Sequence, residues 1–450
     1  MPRPLTPPRA TFLVRASAAA ALGLAAAGAS LPAAAQPRPD GTVAQEVILQ
    51  SRPGVSIDGL AAAYGLTLVD QFGSRPIWRA RVADGGSVEA VVQALTADAR
   101  VVYAEPHVEH QAPESRHNVV WAIGGSQAEW AAQWAGPAMR LERAHRRATG
   151  AGVTVAFLDT GADLDHTALA GRWARRADGS LLGRDFVDDD ADPREAGSRA
   201  DPGYGHGTHV AGLIALAAPA ARLMPVRVLE PSGQGNAWVL AEALLWAVDP
   251  DGDPRTADGA GVVNLSLGTT RPTRLLDQAV ELATCSDDDD DEPDDGYDGP
   301  GFEADAQRCD AQGGAVVLAS AGNDGATKPR VYPAAEAAEG KLAVAASTRK
   351  RRLASFSNRG AWVEVAAPGD RIMSTVPGDA WGVWSGTSMA APLAAGVAAL
   401  VRQTVPDWKA VDVTKRLIDR SAALCGTVAL RQIDAAGAVW DEQPPPPVCR

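Results

Sequence analysis

The sequence of 450 residues predicts an α/β fold with a doubly wound, mostly parallel sheet, preceded by a small α+β module of ferredoxin-like order. After residue 150, apolar strand-like runs alternate with helix-like runs, which is typical of a parallel sheet with helices on both faces. Between residues 46 and 103 the pattern is β-α-β-β-α-β. The composition, 46% hydrophobic and 22% charged, excludes a wholly disordered or collagen-like chain.

The first 35 residues predict a cleaved secretory signal peptide. Three arginines precede an apolar run from 16 to 29, and the alanines at 33–35 supply a small-residue cleavage site. A membrane anchor is the alternative, but the run is shorter than the roughly 20 apolar residues that a spanning helix needs. We therefore expect secretion, either extracellular or periplasmic, with no membrane anchor after signal cleavage.

The N-terminal module, residues 36–112, is predicted to contain six elements. They are strands at Glu46–Gln50, Thr67–Val69, Ile77–Val82 and Val101–Tyr103, and helices at Ser56–Tyr64 and Ser87–Leu95. Gly65 ends the first helix, and Ser87 is a candidate N-cap of the second. Residues 113–132 carry no clear period, which predicts a linker or an extended amino-terminal arm.

Residues 133–450 are predicted to form the large α/β domain. Its strand-like runs are Val153–Leu158, Arg222–Leu229, Gly261–Leu267, Ala315–Ala319, Leu342–Ala346 and Trp362–Ala366, and its helix-like runs are His209–Ala217, Ala237–Val248, Leu275–Ala283 and Ala390–Thr404. An insertion at 285–309 contains an acidic stretch, for which a solvated loop is favoured over a calcium site. The Pro-rich tail at 441–450 is predicted to be irregular.

Four cysteines in an exported chain permit two disulfides with three possible connectivities. Proximity in the sequence favours Cys285 with Cys309 and Cys425 with Cys449. Each bond would close a loop of roughly 25 residues and stabilise the fold by about 3 kcal/mol in the loop-entropy model. A metal site is the alternative, but no two cysteines lie close enough to form a C-x-x-C half-site.

The formal net charge of −13 argues against a nucleic-acid partner, because phosphate contacts require a basic surface. An acidic balance indicates little beyond solubility and self-repulsion.

Three short segments carry the residue types of nucleophilic catalysis. Asp159 ends an apolar strand, His206 opens the stretch HGTHVAG, and Ser388 lies in GTSMAAP. A serine is a poor nucleophile unless an imidazole takes its proton and a buried carboxylate holds that imidazole. The order Asp, His, Ser and the context of the serine exclude an α/β-hydrolase, which has the order Ser, Asp, His and a G-x-S-x-G serine.

These three segments, intact and in this order, resemble the signatures of the subtilisin-like serine proteases, the subtilases. The resemblance runs from roughly residue 133 to residue 420 and implies a subtilisin-like fold. It implies that Asp159 is the acid that orients the histidine, that His206 is the general base and acid, and that Ser388 is the nucleophile. It also implies that catalysis needs no cofactor. The segment before it resembles the family's inhibitory propeptide, which implies a self-processing zymogen.

The resemblance also implies residues for transition-state and substrate binding. Asn323 in SAGNDG matches the family's oxyanion-hole asparagine, although asparagine in such a turn is often only a turn former. Two segments resemble those that clamp a peptide substrate on either side: Gly233, Gln234, Gly235 and Ser266, Leu267, Gly268. Val331 falls where some relatives have glycine, which indicates a shallow pocket and a preference for small or medium apolar side chains before the scissile bond.

A structural calcium site is a further expectation. Asp188, Asp190 and Asp192 resemble a calcium loop of some subtilases, with carboxylates at short spacing. A solvated acidic turn is the alternative.

The sequence therefore predicts an exported, monomeric serine endopeptidase that acts on protein or peptide substrates and is inhibited by its own propeptide. One alternative is a catalytically silent module with the same fold that binds peptides in its substrate cleft. The intact catalytic residues argue against this alternative. A second alternative is a peptide-macrocyclising enzyme, which differs in what intercepts the acyl-enzyme.

Overall fold

The computed structural model describes residues 41–115, 122–286, 301–426, 429–447 and 449. The predicted signal peptide and nearly all of the acidic stretch lie outside these residues. In the part of the chain that is described, no helix combines the length and the apolar character that crossing a bilayer requires.

The N-terminal module has the predicted β-α-β-β-α-β order. Its elements are β1 (Thr42–Ser51), α1 (Ile57–Tyr64), β2 (Leu66–Gln71), β3 (Ile77–Val82), α2 (Val88–Thr96) and β4 (Val101–Gln111). The hydroxyls of Ser56 and Ser87 cap the two helices, and Gly65 ends α1 in the left-handed conformation that glycine adopts without strain. The strands are antiparallel in the order β2-β3-β1-β4.

The two faces of this small sheet have different partners. Val47 and Leu49 of β1 pack in a core with residues of α1 and α2, whereas Ile48 belongs to the core of the large domain. Because successive side chains of a strand point to opposite faces, the module is closed by helices on one side and by the large domain on the other.

The large domain contains the remaining elements. Its strands are β5 (Ala122–Ile123), β6 (Thr154–Asp159), β7 (Arg184–Asp185), β8 (Arg222–Arg227), β9 (Gln234–Asn236), β10 (Val262–Leu265), β11 (Val316–Ser320), β12 (Lys341–Ser347), β13 (Val365–Pro368), β14 (Ile372–Val376), β15 (Ala380–Trp384), β16 (Ala422–Ala423) and β17 (Arg431–Gln432). Its helices are α3 (Gln127–Ala131), α4 (Ala135–Met139), α5 (Leu141–His145), α6 (His206–Ala217), α7 (Ala237–Val248), α8 (Arg274–Thr284), α9 (Glu303–Gln312), α10 (Thr387–Thr404), α11 (Ala410–Asp419) and α12 (Ala435–Trp440). Two 3-10 turns lie at Pro113–Ser115 and Thr167–Leu169.

The main sheet is the predicted doubly wound, mostly parallel sheet. Its strand order is β16-β17-β13-β12-β11-β10-β6-β8-β7, and the pairs from β17 to β7 are parallel. Val155 and Phe157 of β6 pack on the side of α6 and α10, whereas Ala156 and Leu158 pack on the side of α7 and α8. Helices therefore cover both faces, as a buried parallel sheet requires.

Two helices begin earlier than predicted, at positions that matter for the site. Helix α6 begins at His206 rather than His209, and α10 begins at Thr387 rather than Ala390. Gly205, with φ of +87°, lets the chain turn directly into α6. His206 and Ser388 therefore lie on the first turns of helices.

The described residues include both disulfides, Cys285–Cys309 and Cys425–Cys449, with the pairing that proximity favoured. Cys309 of the first bond lies in α9, a helix that was not predicted because its mixed polar sequence has no clear apolar face.

Candidate active site

The three candidate catalytic residues meet at the carboxyl edge of the main sheet. Asp159 is the last residue of β6, His206 is the first of α6, and Ser388 is the second of α10. All three are at most 1% exposed. The sheet therefore brings together residues that are 229 positions apart in sequence, at the edge where open α/β sheets hold their sites.

Asp159 fixes the orientation of His206. The imidazole Nδ1 lies 2.7 Å from Asp159 Oδ1, and the amide of Thr160 donates to the same oxygen at 2.8 Å. Because a carboxylate accepts, Nδ1 carries the proton and Nε2 faces away from Asp159.

A second carboxylate, that of the half-buried Glu195, links the segments that carry Asp159 and His206. It accepts hydrogen bonds from the Thr160 hydroxyl, from the Gly205 amide at 2.8 Å, and from the amide and hydroxyl of Thr208 at 3.2 and 2.5 Å. Burial raises the pKa of Glu195 to about 7. No local pattern in the sequence singles out Glu195, because it lies in a loop without a period and its partners are identifiable only in three dimensions.

Asn323 is held so that its amide nitrogen points into the site. It follows β11, and its Oδ1 accepts from the amide and the hydroxyl of Thr387 at 2.9 and 3.0 Å. The amide of Gly322 donates to the same hydroxyl at 3.0 Å. With the oxygen engaged by Thr387, Nδ2 is left as a donor, as an oxyanion hole requires.

The carboxylate of Glu114, just after the N-terminal module, contacts Asn323, Ser388 and His206. Its Oε1 accepts from Asn323 Nδ2 at 2.8 Å. Its Oε2 accepts from Ser388 Oγ at 2.7 Å and lies 3.1 Å from His206 Nε2. Glu114 lies in the predicted linker, where no motif assigns it a role.

The charges in this cluster depend on one another. Burial raises the pKa of Glu114, but the hydrogen bond and charge of His206 and the hydrogen bonds of Ser388 and Asn323 outweigh burial and hold it below its ordinary value. Burial lowers the pKa of His206, but the charge of Asp159 and hydrogen bonds to both carboxylates raise it to about 10. In this arrangement His206 is an imidazolium between two carboxylates.

The two predicted clamp segments lie on either side of the end of β4. Gln111 exchanges backbone hydrogen bonds with Gly268 at 3.0 and 2.9 Å, and the Ala112 amide donates to the Gly233 carbonyl at 2.9 Å. Residues 109–111 also pair with β9 in antiparallel register. The chain therefore runs through the cleft as an added strand.

A small pocket lies beside this strand. Its walls include Pro113, Gly268, Gly322 and Val331, and its volume is about 20 Å³. A Cβ added to Gly268 or Gly322 would meet the methyl groups of Val331 at 2.5 and 2.8 Å, so the valine fills the space between these glycines.

The three candidate calcium ligands do not come together in the structure. Asp188 pairs with Arg227 at 2.5 Å, Asp192 pairs with Arg194 at 3.3 Å, and Asp190 accepts from the amide of Asp192 at 2.8 Å. Within the described ranges, one other group of three acidic side chains has the mutual distances for a metal ion: Asp249, Asp251 and Asp258. Calcium at 188–192 stays a prediction.

The fold and the site define a class: an α/β enzyme with an imidazole, a carboxylate and a serine at the edge of its sheet, as in serine hydrolases. A model of the subtilase family matches residues 150–437, and a model of the fervidolysin N-terminal prodomain matches residues 31–107.

Known proteases are similar to most of the chain. A thermophilic serine proteinase of Bacillus sp. (strain AK1) is 34% identical over 373 residues, which cover 79% of this chain and 77% of that protein. Subtilisin Savinase of Lederbergia lenta is 35% identical over 304 residues, 65% of this chain and 93% of that protein.

Among solved structures, fervidolysin of Fervidobacterium pennivorans, described as a keratinolytic enzyme related to subtilisin, matches with a TM-score of 0.67 and 22% identity. The match covers 90% of this chain and 62% of the fervidolysin chain, and it shows the shared fold. Together with the family model, the relatives show that this chain belongs to the subtilase family of serine endopeptidases and carries a prodomain.

Proposed function

We propose that this protein is a secreted serine endopeptidase that uses Asp159, His206 and Ser388 and is made as a self-processing zymogen. One observation carries the proposal: His206 Nε2, Ser388 Oγ and Asn323 Nδ2 all converge on one carboxylate, at 3.1, 2.7 and 2.8 Å. A substrate carbonyl at this point would meet the nucleophile, the base and an oxyanion donor together.

Hydrolysis follows in two steps. Neutral His206 takes the proton of Ser388 as Oγ attacks the carbonyl carbon, and the oxyanion is held by Asn323 and by the amide of Ser388. The imidazolium then protonates the leaving amine, which gives an acyl-enzyme. Water attacks this ester with His206 again as base, and the acid product leaves.

The substrate is proposed to bind as the β4 end binds, as a strand between Gly233–Gly235 and Ser266–Gly268. Backbone pairing accepts many sequences, and side-chain pockets select among them. Because Val331 fills the pocket beside Pro113, we propose a preference for small or medium apolar side chains before the scissile bond.

The prodomain is proposed to be an intramolecular inhibitor that the enzyme itself removes. The passage of residues 109–112 through the cleft supports this role, because a substrate cannot pair with the same edges. Export through the N-terminal signal, a monomeric state and a structural calcium ion are further proposals that rest on the sequence.

The test compares the oxidised precursor with its Ser388→Ala variant, by mass analysis and by labelling with a fluorophosphonate. We expect the wild type to remove its prodomain, to take the label and to digest casein. The variant is expected to stay full length and unlabelled. A folded wild type that neither trims nor labels would instead favour the silent peptide-binding module.

Product masses from an incubated peptide separate hydrolysis from ligation. Hydrolysis adds one water across the broken bond, whereas transfer of the acyl group to an amine gives a product that lacks it. Ligated products as the main species would contradict the endopeptidase proposal.

A further inference from the structure

We propose that the catalytic groups form a carboxylate-binding site, that Glu114 of this chain occupies it, and that this contact holds the precursor inactive in addition to the strand in the cleft. The inference rests on the proposed function and deepens it, because it assigns the control of self-processing to one side chain.

Both oxygens of the carboxylate engage groups that the reaction needs. Oε1 accepts from Asn323 Nδ2 at 2.8 Å, so the proposed oxyanion donor is occupied. Oε2 accepts from Ser388 Oγ at 2.7 Å, so the hydroxyl proton points to Glu114 rather than to His206. The group in the site is thus a side-chain anion with two charge-assisted hydrogen bonds and an ion pair.

The local backbone explains how this side chain reaches the site. The pairing of Gln111 with Gly268 and of Ala112 with Gly233 ends at Pro113, which has no N–H to continue it. The 3-10 turn Pro113–Ser115 then directs the Glu114 carboxylate to Ser388. A residue with a short or neutral side chain at position 114 could not make this ion pair.

The charge of Glu114 also acts on the base. His206 lies between Asp159 at 2.7 Å and Glu114 at 3.1 Å, and an imidazolium held in this way cannot accept the proton of Ser388. The raised pKa of His206, about 10, agrees with this geometry.

The other titratable groups near the pair do not reverse this effect. Glu195 accepts from the hydroxyl of Thr160, next to Asp159, and any charge that it carries is negative. The ring of His209 of α6 is stacked on that of Trp384, with 4.5 Å between the ring centroids. Burial lowers the pKa of His209 to about 3, so this side chain is neutral. Ser388 of α10 and Asn323, which follows β11, face Glu114 as uncharged donors.

The main test measures the rate at which the oxidised full-length precursor trims itself. Glu114→Gln keeps the size of the side chain but removes the anion, and each pKa unit by which His206 falls gives about tenfold more neutral imidazole. We therefore expect this variant to process about tenfold faster, or more, near pH 7. Glu89→Gln, an exposed change in α2 of the same module, is the matched control and is expected to process at the wild-type rate.

A chemical rescue identifies the ligand class. In Glu114→Ala the site is free for a small carboxylate, so sodium acetate is expected to slow processing again, whereas sodium chloride at the same ionic strength is not. Acetate is expected to leave the rate of the wild-type precursor unchanged, because its own carboxylate occupies the site.

Two outcomes would overturn the inference: Glu114→Gln processing at the wild-type rate, or equal effects of acetate and chloride on Glu114→Ala. If circular dichroism shows that Glu114→Gln misfolds, Glu114→Asp is used instead. Its side chain keeps the charge but is too short to reach the donors, so faster processing is again expected. Processing of Glu114→Asp at the wild-type rate would also overturn the inference. If no precursor trims or takes the fluorophosphonate, the proposed function fails rather than this inference alone.

Discussion

Replacing Glu195 tests how Asp159 and His206 are positioned. Its carboxylate holds Thr160, beside Asp159, and Gly205 and Thr208, on either side of His206. Glu195→Ala leaves buried donors without a partner, so we expect a loss of about 1–3 kcal/mol in the free energy of unfolding. In the processed enzyme we expect a lower kcat with little change in KM, because Glu195 acts through His206 and does not touch the substrate.

Glu195→Gln is the conservative comparison. Its amide keeps one acceptor oxygen, so activity and stability are expected to lie between those of the wild type and Glu195→Ala. Equal kcat values for all three proteins would show that Glu195 contributes to folding only. Steady-state kinetics and denaturant unfolding measure the two effects separately.

Val331 gives a prediction about specificity. Its methyl groups fill the space between Gly268 and Gly322, so Val331→Gly opens the pocket. We expect the ratio of kcat/KM for a phenylalanine substrate to that for an alanine substrate, at the position before the scissile bond, to rise by about tenfold or more. The alanine substrate is the internal control, and an unchanged ratio would contradict the shallow-pocket hypothesis.

At the scale of elements, the turn between β2 and β3 is attached to α9. Arg75 donates to both oxygens of Asp305, at 2.7 and 2.6 Å, and its guanidinium lies 5.8 Å from the ring of Phe302. Asp305 lies in the insertion that the Cys285–Cys309 disulfide encloses. This insertion therefore contacts the prodomain at a place separate from the strand pairing in the cleft.

A double-mutant cycle on Arg75→Ala and Asp305→Ala, made in the Ser388→Ala precursor, measures this anchor. The two side chains are only 14% and 10% exposed, so we expect a coupling of about 1–3 kcal/mol in the free energy of unfolding. The exposed pair Arg146–Glu142 is the control, with an expected coupling below about 0.5 kcal/mol. Equal couplings for the two pairs would show that the anchor adds no stability.

At the scale of the whole molecule, the charge cluster predicts a pH dependence of precursor stability. The pKa of His206 rises from 6.5 to about 10 on folding. Outside this cluster, burial raises the pKa of Glu336, a residue between β11 and β12, to about 9. Both groups bind a proton more tightly in the folded state, so stability falls as pH rises. The part due to His206 is complete below pH 6.5 and is lost as pH rises through about 10.

The melting temperature of the Ser388→Ala precursor is therefore expected to fall between pH 7 and pH 10. Adding Glu114→Gln removes one of the two carboxylates at His206, so the fall is expected to be smaller. A melting temperature that is constant or increases over this range would contradict the imidazolium assignment.

Local sequence signals were sufficient to predict the fold class, the elements of the prodomain and the family. Period-two and helical patterns, Ser56, Ser87 and Gly65 at helix ends, and the motifs around Asp159, His206 and Ser388 all act over a few residues. The same signals misplaced the starts of α6 and α10, because the Gly-rich segments before them resemble loops.

The side chains that fill the site could not be predicted from local patterns, because they meet only in the folded chain. Glu114 meets Ser388 from 274 positions away and His206 from 92 positions away. Such contacts depend on how β4 extends past its predicted end to pair with β9 and Gly268, and no local pattern encodes that register. Likewise, the positioning role predicted for Glu195 depends on its four hydrogen-bond donors and on desolvation, and both are properties of the folded molecule.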